Sequence, residues 1–158
     1  MDLIDEIISD WGHERPDIDC SGKAVVCRIL YSYSNIIAAV ETKLKPLGIT
    51  PTIFSVLVTI RRKGTDAEVM VSKIMQEALV TSGAMSNLLN KLVKLGYITK
   101  RKASLNEDLR ASFISLTPKG LEIIDKAMVI QASCERMLVQ NLSSAEKKQL
   151  ANLLKKML

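Results

Sequence analysis

The chain has 158 residues, 47% hydrophobic and 25% charged, which is enough for one folded domain and too apolar for a disordered protein. Its formal net charge is +5, but seven acidic side chains against Arg15 give residues 1–20 a charge of −6, so the remainder carries +11. The basic charge of residues 21–158 favours a polyanionic partner, either nucleic acid or an acidic membrane surface.

The positions of the cysteines and the histidine exclude a structural zinc site. Cys20, Cys27 and Cys134 are scattered along the chain, and His13 is the single histidine. The amino terminus lacks the basic and apolar segments of a secretory signal, and no apolar run approaches the roughly 20 residues of a membrane helix. We therefore expect a cytoplasmic protein with reduced thiols, no cofactor and no membrane association. Nor does the sequence contain a catalytic triad or a glycine-rich phosphate loop, so we do not expect an enzyme.

In chain order, the first predicted element is a short acidic helix at residues 2–11, which stops before Pro16. A long helix follows over residues 21–47, and its apolar positions recur at steps of three and four: Val26, Leu30, Tyr33, Ile37, Val40, Leu44 and Leu47. A helix of about 25 residues is about 38 Å long, more than the core of a small domain requires. We expect part of this stripe to contact a second chain.

Three shorter helices come next. Thr50 as N-cap and Pro51 at the first helical position begin one that runs to about Arg62. The second covers residues 71–78, and the third covers about residues 83–95 and ends at the glycine that follows.

Strand-like runs at residues 97–100 and 112–116 flank a charged stretch and predict a β-hairpin. Two more helices complete the chain, one at about residues 118–139 and one that begins at the capping box formed by Ser143 and Glu146. The order of elements predicts a mainly α fold with a small β-hairpin wing, that is, a winged helix-turn-helix bracketed by long helices.

The helix at about residues 83–95 has two contrasting faces. Its apolar face combines Met85, Leu88, Leu89, Leu92 and Leu95, whereas the opposite face has no acidic residue. Asparagine can bond adenine in the major groove, lysine can reach phosphate or guanine, and small residues at the amino end allow close approach to a duplex. We predict DNA contacts from Ser82, Gly83, Ala84, Ser86, Asn87, Asn90, Lys91 and Lys94. The alternative is an ordinary solvated helix face.

The predicted hairpin adds a second cationic group. Arg101 and Lys102 are expected to bind phosphates, and Arg110 to enter the narrow minor groove, oriented by Asp108. Replacement of Arg110 by alanine should then weaken DNA binding by about 1–3 kcal/mol. The alternative for these residues is a solvated surface turn.

Three runs resemble, in order, the signature of the MarR family: KLGYI at residues 94–98, DLRAS at 108–112 and LTPKG at 116–120, with Arg101 after the first. The resemblance covers about residues 21–158. It implies a bacterial transcription regulator, repressor or activator, that binds a palindromic operator as a homodimer built from its terminal helices, with its two recognition helices about 34–36 Å apart. It also implies that an effector or an oxidant controls DNA binding.

With this resemblance the chain divides into three parts. Residues 1–20 form an acidic extension with an accessory helix, residues 21–48 and 118–158 form a helical dimerisation region, and residues 49–117 form the DNA-binding lobe.

The leader around Trp11 resembles the branch of the family that responds to urate and related phenolic ligands. The resemblance implies an effector pocket that includes Trp11, Arg15 and Ser55. Ser55 stands where that branch has a carboxylate, and Leu88 where it has an arginine, so we expect a different phenolic or aromatic molecule. The alternative for Trp11 is packing of the accessory helix onto the dimer.

The segment beginning at Cys27 resembles the peroxide-sensing branch, which makes a thiol-based peroxide sensor of the same fold one alternative. A buried, inert Cys27 is the simpler interpretation, because free cysteines are usually buried. A winged-helix module that binds protein is a further alternative, and it would need an apolar or acidic recognition face. The sequence alone leaves the operator, the regulated genes and the effector open.

Overall fold

The structure of the protein is a computed structural model that describes residues 2–78, 82–104 and 111–158. The chain separates into two compact units, Met1–Ala39 and Val40–Leu158. The first unit contains helix α1 (Leu3–Glu14) and most of helix α2 (Lys23–Leu44), and the second contains everything that follows.

Helix α1 begins at a capping box. The Asp2 carboxylate accepts the Asp5 backbone N–H at 2.9 Å, and the Asp5 carboxylate accepts the Asp2 N–H at 3.0 Å, which satisfies two amide donors at the helix start. The predicted acidic helix is thus confirmed, and it continues three residues further, to Glu14, before Pro16. Arg28 of α2 donates to both carboxylates and so ties the start of α1 to α2.

Helix α2 and a 3-10 turn (Lys45–Leu47) make up the predicted long helix, which ends at Gly48 with a positive φ of 70°. The apolar stripe is buried only at its carboxyl end, where Val40 and Leu44 are 4% and 0% exposed. Upstream, Leu30 and Tyr33 are 59% and 63% exposed. An exposed apolar stripe of this length is typical of a surface that binds a partner.

One helical stretch within the described residues, Lys23–Leu47, is long and apolar enough by length and composition to cross a membrane. The expectation that no segment reaches this length was therefore wrong. Apolar side chains dominate the average over this stretch, although polar residues such as Arg28 and Asn35 interrupt it.

The second unit carries the remaining elements. Its helices are α3 (Pro51–Arg61), α4 (Val71–Ala78), α5 (Ser82–Lys94), α6 (Pro118–Leu138) and α7 (Ser144–Lys155). The N-caps predicted at Thr50 and Ser143 each accept a backbone N–H from the first turn of the following helix, and Thr117 does the same for α6.

A three-stranded antiparallel sheet replaces the two-stranded hairpin of the sequence prediction. Strands β1 (Val69–Met70), β2 (Ile98–Lys102) and β3 (Ser112–Leu116) lie in the order β1-β3-β2, so that β2 is an edge strand within the described sheet. Two residues are too few to produce the alternation that marks a strand, which is why β1 was missed. Strand β2 also begins one residue later and ends two residues later than predicted.

The core of the second unit lies where α3 packs against α4, α6 and β3. It is aliphatic, and its side chains come from every one of these elements and from α5. Those with less than 2% exposure include Ile53, Leu57, Ile60, Ile74, Met85, Leu92, Ile98, Ile114 and Ile124.

A polar joint fixes the end of α5 to the start of α6. The Thr117 hydroxyl donates to the Gly96 carbonyl at 2.6 Å and accepts the Gly120 N–H at 2.9 Å, while the Thr117 N–H donates to the Tyr97 carbonyl at 3.0 Å. Lys119 adds a bond from its Nζ to the Leu95 carbonyl at 2.8 Å. This joint pairs the carbonyls that follow α5 with donors at the start of α6 and so attaches the two helices to each other.

Candidate nucleic-acid interface

Helix α5 has the two faces that its sequence predicts. Met85, Leu89 and Leu92 are buried with at most 2% exposure, and Leu88 is half-buried. The opposite face is exposed and carries Gly83, Ser86, Asn87, Asn90, Lys91 and Lys94. Because the apolar residues recur with the helical period, they attach α5 to the core and leave an amide and ammonium surface facing outward.

Some of the predicted contacts lie outside the described residues. Asp108 and Arg110 belong to the stretch 105–110, and the side chains of Ser82 and Ala84 are likewise not described. Their assignments remain predictions from the sequence.

A groove of about 480 Å³ runs between α5 and β2. It is lined by Asn90, Val93, Lys94, Lys100, Arg101 and Lys102. Four of these six residues are cationic, so the groove concentrates positive potential beside the exposed face of α5. The structure therefore brings together the two cationic groups that the sequence placed on separate elements.

Val93 and Lys100 are the residues of the groove that were absent from the predicted contacts, and Lys100 is the charged one. It also lines a neighbouring cavity of about 390 Å³ together with Ser86. The alternation of side chains along a strand could have identified Lys100. It lies two residues before Lys102, a predicted contact, and side chains two apart in a strand share a face. Lys100 and Lys102 pair with Ile114 and Ser112 of β3, so both lie on the face of the sheet that holds the core.

Arg101 has the opposite orientation. Its register partner is Phe113, and the guanidinium carbon lies 4.3 Å from the centroid of that ring. Its Nε donates to the two carboxylate oxygens of Glu68 at 2.8 and 3.0 Å, and Nη2 donates to the same carboxylate. Glu68 immediately precedes β1, and sequence reasoning had not singled it out.

The three residues expected in an effector pocket make local contacts. The Trp11 ring lies 5.4 Å from the Lys23 Nζ, and Arg15 pairs with Asp17 at 2.6 Å, both within the first unit. Ser55, in the second unit, donates its hydroxyl to the Ala78 carbonyl at 3.4 Å. The pocket itself therefore remains a prediction.

The cysteines differ in burial. Cys27 is half-buried, and so is Cys20, whereas Cys134 is 2% exposed. The expectation that Cys27 is buried was therefore wrong, and the inert and peroxide-sensing interpretations of its thiol both stay predictions. Within the described residues no three histidine, cysteine, aspartate or glutamate side chains form a group that could hold a metal ion.

Comparison with known sequences identifies the family. The model of the MarR family matches residues 47–106. The multiple antibiotic resistance protein MarR of Salmonella typhimurium is 34% identical over 116 residues, which cover 73% of this chain and 77% of that protein. The HTH-type transcriptional regulator PecS of Dickeya dadantii is 24% identical over 151 residues, which cover 96% of this chain and 90% of PecS.

Solved structures show the same fold. A mutant of Escherichia coli MarR complexed with operator DNA superposes with a TM-score of 0.73 at 26% identity, over 100% of this chain and 99% of that one. AbsC from Streptomyces coelicolor, a MarR family transcriptional regulator, superposes with a TM-score of 0.78 at 17% identity, over 89% and 93%. The predicted winged helix-turn-helix is confirmed. The chain therefore belongs to the MarR family of transcription regulators, which are DNA-binding proteins and not enzymes.

Proposed function

We propose that this regulator recognises a specific palindromic duplex, with α5 in the major groove and the wing (β2, β3 and the residues between them) against the adjacent backbone. The observation that carries the proposal is the groove between α5 and β2, where lysines from two elements converge beside exposed asparagines. Asparagine supplies base discrimination, and lysine supplies phosphate contacts. The likeness to a MarR protein solved with operator DNA supports the same mode of binding.

Charge divides the proposed contacts into two groups. Lys91, Lys94, Lys100 and Lys102 bind phosphates and make the affinity strongly dependent on salt. Asn87 and Asn90 read base edges. Arg110, oriented by Asp108, enters the minor groove, an assignment that rests on the sequence alone.

We propose that the chain acts as a homodimer through residues 21–48 and 118–158. The exposed apolar side chains of α2, with Val26 48% and Leu30 59% exposed, support this proposal. So do the exposed Leu150, Leu153 and Met157 near the carboxyl end. A second copy would remove this surface from water, and two recognition helices one DNA turn apart would then match a palindrome.

A small phenolic or aromatic effector is proposed to modulate DNA binding, and the residues that the sequence suggests for its recognition are Trp11, Arg15 and Ser55. Trp11 is 41% exposed and is the single tryptophan, so a ligand that covers it changes its fluorescence. A thermal-shift screen of phenolates and purines tests the proposal. Complete absence of shifts would contradict it.

Selection of duplexes from a random pool, followed by footprinting at fixed salt, tests DNA recognition. We expect a palindromic site whose half-sites are centred about 10 base pairs apart. A protein-binding winged helix predicts no preference for any duplex. Failure to enrich any sequence at low ionic strength, or a strictly monomeric protein, would overturn the proposal.

A further inference from the structure

Arg101 begins a side-chain bridge that leads from β2 across β3 to the residue before β1. Its position in β2 pairs with Phe113 of β3, and Met70 of β1 pairs with the same phenylalanine from the other side. The Arg101 guanidinium extends over the Phe113 ring and ends on the carboxylate of Glu68, beside β1. The bridge thus begins on the edge strand of the wing and ends on the segment that leads into α4.

The geometry of the bridge differs from that of an ordinary surface ion pair. Exposed pairs usually contribute little, because the two side chains lose entropy when they meet. Here the guanidinium donates from two of its nitrogens to one carboxylate, and its central carbon lies 4.3 Å from the centroid of an aromatic ring, within cation–π distance. Nη1 also donates to the Lys102 carbonyl at 3.3 Å, which engages the backbone of β2 itself.

The bridge has a consequence for the neighbouring lysines. Because side chains alternate along a strand, Lys100 and Lys102 point to the face opposite the one on which Arg101 meets Phe113, while all three residues line the groove beside α5. Strand β2 has a neighbour on one side only within the described sheet, so fewer contacts hold its position. A bond from Arg101 to Glu68 therefore fixes where the two lysines stand relative to α5.

We propose that Glu68 is a positioning residue of the DNA interface, acting through Arg101, and that Arg101 itself does not bind phosphate. The Glu68 carboxylate already compensates the guanidinium charge, so a phosphate would have to displace it. This inference rests on the proposed DNA binding and gives Arg101 a different role from the phosphate contact that the sequence suggested.

Two conservative variants separate this role from a phosphate contact. Arg101→Lys keeps the charge but loses the two-nitrogen bond and the planar contact with Phe113. Glu68→Gln keeps the shape and removes the negative charge that Arg101 contacts at residue 68. The matched control is Glu122→Gln, which breaks an exposed ion pair with Lys126 within α6.

The first measurement is hydrogen exchange of β2 amides in the free protein. We expect both variants to exchange about five- to tenfold faster over residues 98–102, and the control to match the wild type. The second measurement is affinity for the selected duplex over a range of salt. Both variants should bind about fivefold more weakly, and Arg101→Lys should leave the salt dependence unchanged.

A phosphate-binding Arg101 gives the opposite pattern. Arg101→Lys would then bind nearly as well as the wild type, and Glu68→Gln would bind more tightly because it removes an anion from beside the contact. Either result, or unchanged exchange in β2, overturns the inference. If the wild type itself binds no duplex, the proposed function fails, and hydrogen exchange in the free protein still decides whether the bridge holds β2.

Discussion

Gly120 approaches Tyr97 so closely that a Cβ atom built on Gly120 would lie 1.9 Å from the Tyr97 carbonyl oxygen and 2.9 Å from its carbonyl carbon. The same carbonyl oxygen accepts the Thr117 N–H at 3.0 Å. The first turn of α6 is therefore pressed against the backbone that joins α5 to β2. This contact explains why the run LTPKG has glycine at its last position.

Gly120→Ala should lower the free energy of unfolding by about 3 kcal/mol, because backbone atoms and not a flexible side chain would have to move. Chemical denaturation followed by circular dichroism measures the change. Gly83→Ala is the matched control, since that glycine is also helical and a Cβ there meets nothing within 4 Å. The control should be neutral or gain up to about 1 kcal/mol. Equal stability of the two variants would refute the packing argument.

Lys94→Gln and Lys102→Gln should each reduce the slope of log affinity against log salt by about 1, because each proposed phosphate contact releases about one counterion. Affinity should fall for every duplex alike. The measurement is a fluorescence-anisotropy titration at several salt concentrations. Lys126→Gln, on α6, removes the same charge and should leave the slope unchanged. A slope that depends equally on all three lysines would mean that net charge alone governs binding.

Leu30→Glu should dissociate the proposed dimer, because it puts a charge into a stripe whose apolar side chains are exposed in the single chain. Sedimentation equilibrium measures the mass. Asn35→Glu adds the same charge to the other side of the exposed part of α2 and should leave the dimer intact. Equal masses for the wild type and both variants would exclude this stripe from the interface.

The start of α1 should loosen in acid. The pKa of Asp2 is lowered below 3.8, first by the Asp5 N–H and then by Arg28, and that of Asp5 is lowered by the Asp2 N–H and Arg28. Since both folded-state pKa values lie below the unfolded value, the carboxylates stabilise α1 above that value, and the stabilisation is lost as the pH falls through the lowered pKa values.

Quenching of the single tryptophan by acrylamide measures this loosening, because Trp11 lies on α1. Quenching should rise as the pH falls below about 4, through the lowered pKa values of the two carboxyls. Arg28→Gln should increase it already at neutral pH. Arg15→Gln, whose partner Asp17 lies beyond α1, is the control and should behave as the wild type. Unchanged quenching in Arg28→Gln would show that the arginine does not hold α1.

Local patterns predicted much of this molecule correctly. The period of the apolar residues assigned Met85, Leu89 and Leu92 to the core, and left Asn90 and Lys94 on the surface. Hydroxyl side chains marked helix starts because a cap bonds an N–H only three residues away. In each case the interaction lies within one or two turns, so neighbouring residues contain the information.

The amino-acid sequence by itself determined the helices, their caps, the two faces of α5 and the family. Only the tertiary structure decided that β1 joins the sheet, that Lys100 stands beside α5, and that Arg101 is held by Glu68. Arg101 and Glu68 are 33 residues apart in sequence, and their contact depends on the strand order β1-β3-β2. No period in the sequence specifies which strands become neighbours, because that choice follows from burying the whole apolar surface at once.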